Sequence, residues 1–212
     1  MTVCRFYKAN HEDTNHGAVM TDATPNATPN HRELGEQLLK SLDKGQMGAV
    51  AAKLVAAAIG DLVVLFSRSP AHKHYALADI EWMVLPPVVT RQAYVVEATN
   101  KETGVRAPVA AVTWALVSEE LDLALQQQAG SSMRRLRPDQ WKCGETGWLI
   151  DAVGNAEGIR MALQWLAAGP FKDRPLKMSG VRKAGGPVDV TTLSALLAER
   201  AGAGTTSAEN LS

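Results

Sequence analysis

The chain has 212 residues, of which 46% are hydrophobic and 21% are charged, and its formal net charge is zero. This length and composition are typical of one soluble globular domain with a sizeable core. A neutral chain has no global field for nucleic acid or a membrane surface, so any charged partner must meet a local patch. The two cysteines, Cys4 and Cys143, form neither a disulfide framework nor a metal-ligand spacing, which fits a reducing cytoplasm.

Two segments of the N-terminal third bear on secretion and on membrane insertion. Residues 1–30 are rich in Asn, Thr, Asp, His and Pro, so they predict a disordered tail without a secretory signal. Residues 47–67 are long and apolar enough to span a bilayer, but Lys53 and Asp61 interrupt them. Each charge near a helix centre costs about 2.5–3.5 kcal/mol in lipid. The run therefore predicts a buried helix and no transmembrane segment.

The remaining elements follow from periodicity and from turn residues. Their order predicts an α+β (mixed α/β) domain over residues 31–200, built around one central, mostly antiparallel sheet, with a disordered tail over 201–212. Residues 92–98 and 108–116 are joined by a short link with turn residues, which predicts a hairpin. The other predicted helices begin near residue 31 and span 46–66, 118–128, 159–168 and 190–200, and the other predicted strands span 76–85, 146–153 and 176–181.

Asp151 is the residue that departs most from its surroundings. It lies inside the apolar segment WLIDAV, where an unpaired carboxylate is costly to bury and needs a partner. It is either a structural aspartate bonded to backbone amides or a carboxylate that orients a histidine. His72 and His74 are both candidates for that histidine, and nothing in the residues alone joins either to Asp151. If a histidine does meet Asp151, the carboxylate fixes its tautomer and the imidazole can remove a proton from a nucleophile.

Several segments resemble one known family. SRSPAHKHY, at residues 67–75, resembles the SSPLH signature of the toxin-activating lysine acyltransferases, the hemolysin C-like enzymes that fatty-acylate RTX protoxins. WLIDAV resembles the family's WFIDWIAPFG block. Four further segments between these two and residue 189 occur in the same order as in the family. They are Val84-Leu85-Pro86 (family NVLP), residues 92–94 (NQY), residues 108–115 (PVAYCSWA) and Gly185-Gly186 (HGG).

The resemblance implies a fold and an activity. The fold is that of the GCN5-related N-acetyltransferases, and the activity is transfer of an acyl chain from acyl carrier protein to internal lysines of an RTX protoxin. It places the family's catalytic histidine on His72, its aspartate on Asp151 and its motif serine on Ser69. Backbone amides at Gly154 and Asn155 are candidates to hold an oxyanion, although a plain turn is the other interpretation.

The implied donor is acyl carrier protein, with no bound cofactor and no metal site. The acetyl-CoA signature of ordinary acetyltransferases is absent from the sequence, which fits a carrier-protein donor. Because carrier proteins are acidic, a basic docking patch is expected, although each candidate could also be a solvated loop charge. A homodimer is implied by the resemblance alone. The docking candidates are Arg134, Arg135, Arg137 and Lys142, with Arg68 and Lys73.

The sequence also departs from the family pattern. Ala152 stands where the family has Trp, and residues 154–157 replace its APFG. These departures motivate a rival hypothesis, in which the protein is a catalytically idle chaperone or adaptor that binds a secreted RTX protein or acyl carrier protein.

Overall fold

The computed structural model describes residues 44–128, 135–179 and 190–206. These residues fall into two units, one that contains residues 44–57 and one that begins at Ala58. The predicted helix near residue 31 and the N-terminal tail lie outside the described residues. The domain boundaries at residues 31 and 200 therefore stay predictions.

The described residues contain six α-helices and five strands. The helices are α1 (Lys44–Arg68), α2 (Ile80–Met83), α3 (Leu85–Val89), α4 (Glu119–Gln127), α5 (Ala156–Ala168) and α6 (Leu193–Thr206). The strands are β1 (Ala93–Thr99), β2 (Arg106–Val117), β3 (Thr146–Gly154), β4 (Leu176–Ser179) and β5 (Val190–Thr192).

The strands form one sheet in the order β1-β2-β3-β4-β5. All neighbouring strands are antiparallel except β3 and β4, which are parallel and pair only at Gly147 with Leu176 and Trp148 with Lys177. A parallel pair needs a crossover, and α5 lies between these two strands in the chain. The predicted α+β class with a mostly antiparallel sheet is confirmed, and the architecture is consistent with a single domain like the GCN5-related N-acetyltransferases.

Helices cover the two faces of the sheet. On one face, a cluster that includes Val112 of β2 and Leu166 of α5 forms the larger core. On the opposite face, Leu62 near the end of α1 packs with Val95 of β1 and Val153 of β3. Strand alternation therefore sends neighbouring residues of β3 to different helical layers, and the face of each side chain decides what it can contact.

Helix α1 is only partly the buried helix that the sequence predicts. Residues 45–57 are exposed apart from the half-buried Leu54, whereas Leu62 and Leu65 are buried. By length and composition alone the helix could cross a membrane, with a mean hydropathy of 2.1 in its most apolar window, of which 22% is buried. Core helices of soluble proteins can be equally long and apolar, so these two properties are weak evidence for a membrane span.

The predicted strand over residues 76–85 is wrong, because this segment is helical. A short 3₁₀ turn over Leu77–Asp79 leads into α2 and α3. Asp79 fixes the start of this turn, since its carboxylate accepts hydrogen bonds from the Ala76 amide and the Trp82 indole, both at 2.8 Å. Pro86 lies in the first turn of α3, where the fixed φ of proline favours a helix and its missing N–H costs nothing.

The predicted helix over residues 190–200 also differs from the structure. Residues Val190–Thr192 form β5 against β4, and α6 begins only at Leu193. Helix α6 runs to Thr206, past residue 200, where the C-terminal tail was expected to begin. A strand of three residues has too short a pattern to be recognised in a sequence.

A buried carboxylate ties α4 to the middle of the sheet. Asp122 accepts hydrogen bonds from the Trp148 indole at 2.7 Å, from Lys177 Nζ at 2.9 and 2.8 Å, and from Gln126 at 2.9 Å. Burial raises the pKa of Asp122, but the hydrogen bonds from Lys177 and Trp148 outweigh that effect and hold the pKa below its usual value.

We expect Asp122→Asn to lower the free energy of unfolding by about 1–3 kcal/mol at neutral pH, since it leaves Lys177 without its charged acceptor. The folded pKa lies below the unfolded value of about 3.9, so the contribution is fully present above that pH and is lost as pH falls through the folded pKa. Urea unfolding of both proteins over a pH series measures this. Asp139→Asn, which removes an exposed pair with Arg137, is the control and should change little. A pH-independent difference between wild type and Asp122→Asn would contradict the assignment.

Candidate active site

His72 is held by a tight turn directly after α1. The carbonyl oxygen of Ser69 accepts hydrogen bonds from the amides of His72 at 3.0 Å and of Lys73 at 2.9 Å. Pro70 lies within this turn and has no N–H to satisfy. The turn therefore folds Ser69 and His72 back on each other at the end of the helix.

The structure brings Ser69, His72 and Asp151 into one hydrogen-bonded chain. His72 Nε2 lies 2.6 Å from Asp151 Oδ2, and Ser69 Oγ lies 2.8 Å from His72 Nδ1. The side chains of His72 and Asp151 are only 9% and 11% exposed. Asp151 Oδ1 also accepts a hydrogen bond from the Ala152 amide at 2.8 Å. A neutral imidazole with its proton on Nε2 would donate to Asp151 and leave the lone pair of Nδ1 facing the Ser69 hydroxyl.

A β-bulge determines which face of the sheet carries Asp151. Thr113 of β2 pairs with Asp151, but the next residue, Trp114, pairs with Leu149, so Ile150 is an extra residue in β3. Strict alternation would place Asp151 on the same face as Leu149. The extra residue places Asp151 on the opposite face, towards the end of α1, where it meets His72.

Aromatic rings pack around His72, and the sequence did not indicate them. The Phe66 ring lies 4.7 Å from the His72 ring with 32° between the planes, and the Tyr75 ring lies at 5.8 Å. Tyr75 in turn packs edge-on against Trp82 at 5.8 Å. The sequence offers little to identify these rings in advance, because Tyr75 is simply the last residue of the SRSPAHKHY segment. The other candidate, His74, is exposed.

Two cavities flank the Ser69–His72 pair. The larger, of about 390 Å³, reaches Ser69, and the smaller, of about 240 Å³, reaches His72. The larger cavity is lined by Leu65, Arg68, Ser69, Pro70, Pro108, Val109, Ala152, Val153, Gly154 and Asn155. The smaller is lined by Val63, Phe66, Ser67, His72, Lys73, Tyr75, Ala76, Leu77, Ile80, Met83 and Val84.

The two oxyanion candidates, Gly154 and Asn155, share the larger cavity with Ser69, but the amide of Asn155 is already in use. The Asn155 amide donates to the Val109 carbonyl at 2.9 Å, so it has no hydrogen left for an oxyanion. The Asn155 side chain caps α5 by accepting from the Gly158 amide at 2.7 Å. Gly154 has a φ of +117°, which L side chains rarely adopt. Asn155 therefore has a structural role that accounts for its place after β3.

Of the docking candidates that the structure describes, Arg135 and Arg137 each have an acidic partner. The Arg135 guanidinium lies 3.3 Å from Asp79 and over the Trp82 ring at 5.1 Å. Arg137 donates two hydrogen bonds of 3.1 Å to Asp139. Lys142 is exposed, and Arg134 lies outside the described residues. Of the two further candidates, Arg68 lines the larger cavity and Lys73 the smaller.

The fold and this site together define a single α+β domain, like the GCN5-related N-acetyltransferases, with a part-buried histidine–carboxylate pair. The family model of the RTX toxin acyltransferases matches residues 52–193, which is more than half of the chain. The chain belongs to the RTX toxin acyltransferase family, and the family predicted from its sequence motifs is confirmed.

A more distant likeness agrees with the family. The chain is 28% identical over 95 residues to the lysine-acyltransferase RtxC of Vibrio cholerae serotype O1. The match covers 45% of this chain and 56% of that protein, so the chain spans about half the length of this relative.

The backbone of Gly154 lies so close to the backbone of Val109 and Ala110 that it leaves no room for a side chain, and substitution can test this. A Cβ at Gly154 would overlap the Val109 carbonyl and the Ala110 backbone, whereas a Cβ at Gly104, with φ +69°, would meet nothing within 4 Å. We expect Gly154→Ala to lower the free energy of unfolding by more than about 3 kcal/mol, from strain plus steric overlap. Gly104→Ala should cost only about 1–2 kcal/mol. Equal losses in chemical unfolding would contradict the close approach.

Proposed function

We propose that this protein is a cytoplasmic lysine acyltransferase that moves a fatty acyl chain from acyl carrier protein to internal lysines of an RTX-type protoxin and thereby activates it. The observation that carries the proposal is the part-buried 2.6 Å contact between His72 and Asp151, with Ser69 on the other ring nitrogen. Membership of the RTX toxin acyltransferase family supports the reaction, and the name of the Vibrio cholerae relative supports lysine as the acceptor.

The chemistry explains why a base is needed. A lysine side chain has an unperturbed pKa of about 10.4, so it enters as an ammonium and must lose one proton to solvent before it can attack. The neutral amine nitrogen then attacks the thioester carbonyl, the new C–N bond forms and the C–S bond breaks. His72 takes the second amine proton and returns it to the leaving sulfur, so the products are an amide and a thiol. Asp151 orients the imidazole and stabilises its charged form.

Ser69 is assigned the role of a proton relay. Its hydroxyl occupies the Nδ1 side of His72 and lines the larger cavity, so it lies between the base and the space open to substrate. As the hydroxyl takes the proton of the amine, it passes its own proton to Nδ1. The sequence left open whether His72 acts as a base or takes the acyl group, and its two occupied nitrogens favour the base.

The cavities support a carrier-protein donor. The larger one is bordered by Arg68, whose guanidinium suits the phosphate of the phosphopantetheine arm that carries the thioester. Arg68 and Lys73, one at each cavity, offer positive charge to an acidic carrier protein. Homodimerisation stays a prediction that rests on the family resemblance.

We expect a co-expressed RTX partner to gain the mass of a fatty acyl chain on lysine with wild-type protein and to gain none with His72→Ala. Asp151→Asn keeps the shape of the side chain but no longer stabilises the charged imidazole, so it should lower the rate by about 10²–10⁴-fold with little loss of stability. Intact-mass spectrometry of the partner measures the first effect, and a time course with purified proteins measures the second.

His74→Ala is the matched control, since His74 is exposed two residues away and should retain wild-type activity. Wild-type turnover by Asp151→Asn would remove the role assigned to that residue. A stable complex of wild-type protein and partner without any mass gain would favour the idle adaptor, for which His72→Ala changes nothing.

A further inference from the structure

We propose that the smaller cavity, hereafter the chain pocket, holds the acyl chain of the donor and limits its length. This inference rests on the proposed function and adds to it the place where the chain binds. The chain pocket has a volume of about 240 Å³. Its apolar lining includes the side chains of Val63, Phe66, Leu77, Ile80, Met83 and Val84.

The chain pocket lies directly beside His72. His72 lines the chain pocket and Ser69 lines the larger cavity, and the two side chains are hydrogen-bonded at 2.8 Å. A thioester carbonyl placed at this pair therefore has one cavity on each side. The hydrocarbon chain and the polar arm leave the same carbonyl carbon, so each can occupy one of the two cavities.

The chemistry of the linings distinguishes the two sides. The chain pocket is walled by aliphatic side chains and Phe66, and its cation, Lys73, is exposed. Methylene groups gain free energy when such surfaces cover them. The larger cavity also has apolar walls, such as Leu65 and Val153, but it adds Arg68, Ser69 and Asn155, so its lining is the more polar of the two and suits the polar arm better. Ser67, a polar residue of the chain pocket, turns its hydroxyl to the Val64 carbonyl at 2.8 Å.

The depth of the chain pocket is bounded by the core. Met83 and Val84 are 5% and 1% exposed and belong to the same packed cluster as Leu62 and Val95. A chain that enters beside His72 therefore meets a closed wall. Close-packed walls do not yield readily to extra methylene groups, so the wall sets a maximum length.

The open side of the chain pocket carries exposed apolar surface. Leu77 is 83% exposed although it lines the cavity. Exposed apolar groups around a concave site are typical of ligand-binding surfaces. A bound chain would cover Leu77 and remove this surface from water.

Competition between two donors tests the assignment. Octanoyl- and palmitoyl-acyl carrier protein are mixed in equal amounts with an RTX partner, and mass spectrometry gives the ratio of the two products. Ile80→Phe adds bulk to the pocket wall and should shift the ratio towards octanoyl by about tenfold or more. Ile80→Ala removes bulk and should shift the product ratio towards palmitoyl. This second variant still tests the proposal if Ile80→Phe fails to fold.

Val89→Phe is the matched control, because Val89 lies on α3, is 68% exposed and lines neither cavity. Its product ratio should equal that of the wild type. If wild-type protein transfers neither chain, both the proposed function and the proposed role of the chain pocket are contradicted. If wild-type protein transfers acyl chains but neither Ile80 variant changes the ratio relative to Val89→Phe, the chain pocket alone is overturned.

Discussion

The extra residue in β3 is the constraint on which the site depends. Ile150 interrupts the alternation of the strand, so that Asp151 lies on the same face as Val153 rather than on the face of Leu149. A one-residue change in a strand exchanges its two faces, and here the two faces meet different helices. Without the bulge, the carboxylate would enter the core beside α5, where no histidine lies among the described residues of that cluster.

The bulge places the carboxylate, and two further features make its burial tolerable. Each buried charge needs partners, and Asp151 has His72 on one oxygen and the Ala152 amide on the other. The histidine is held in turn by the Ser69 turn and by the Phe66 ring. The helix that carries this turn is fixed to the sheet by its buried end, so the site is built on packed elements rather than on a free loop.

The segment that the sequence misassigned contributes to the same site. Residues 76–85 looked like a strand because they are apolar, but Ile80, Met83 and Val84 recur at helical spacing. As two short helices they form one wall of the chain pocket. A flat strand at this position would offer only alternate side chains to one face, whereas the helical turn offers three. Local apolar content therefore agreed with burial only at Met83 and Val84, and it did not predict the geometry that creates the cavity.

The sequence by itself determined the strands β1 to β3, the helices α4 and α5, and the family, because these depend on alternation, on caps such as Ser118 and on motif order. The hydroxyl of Ser118 indeed accepts from the Leu121 amide at 3.4 Å at the start of α4. The family resemblance placed the catalytic histidine on His72, but only the tertiary structure showed that His72 contacts Asp151 while His74 is exposed. The physical reason is that this contact joins residues 79 positions apart, through a turn and a bulge that local propensities do not encode.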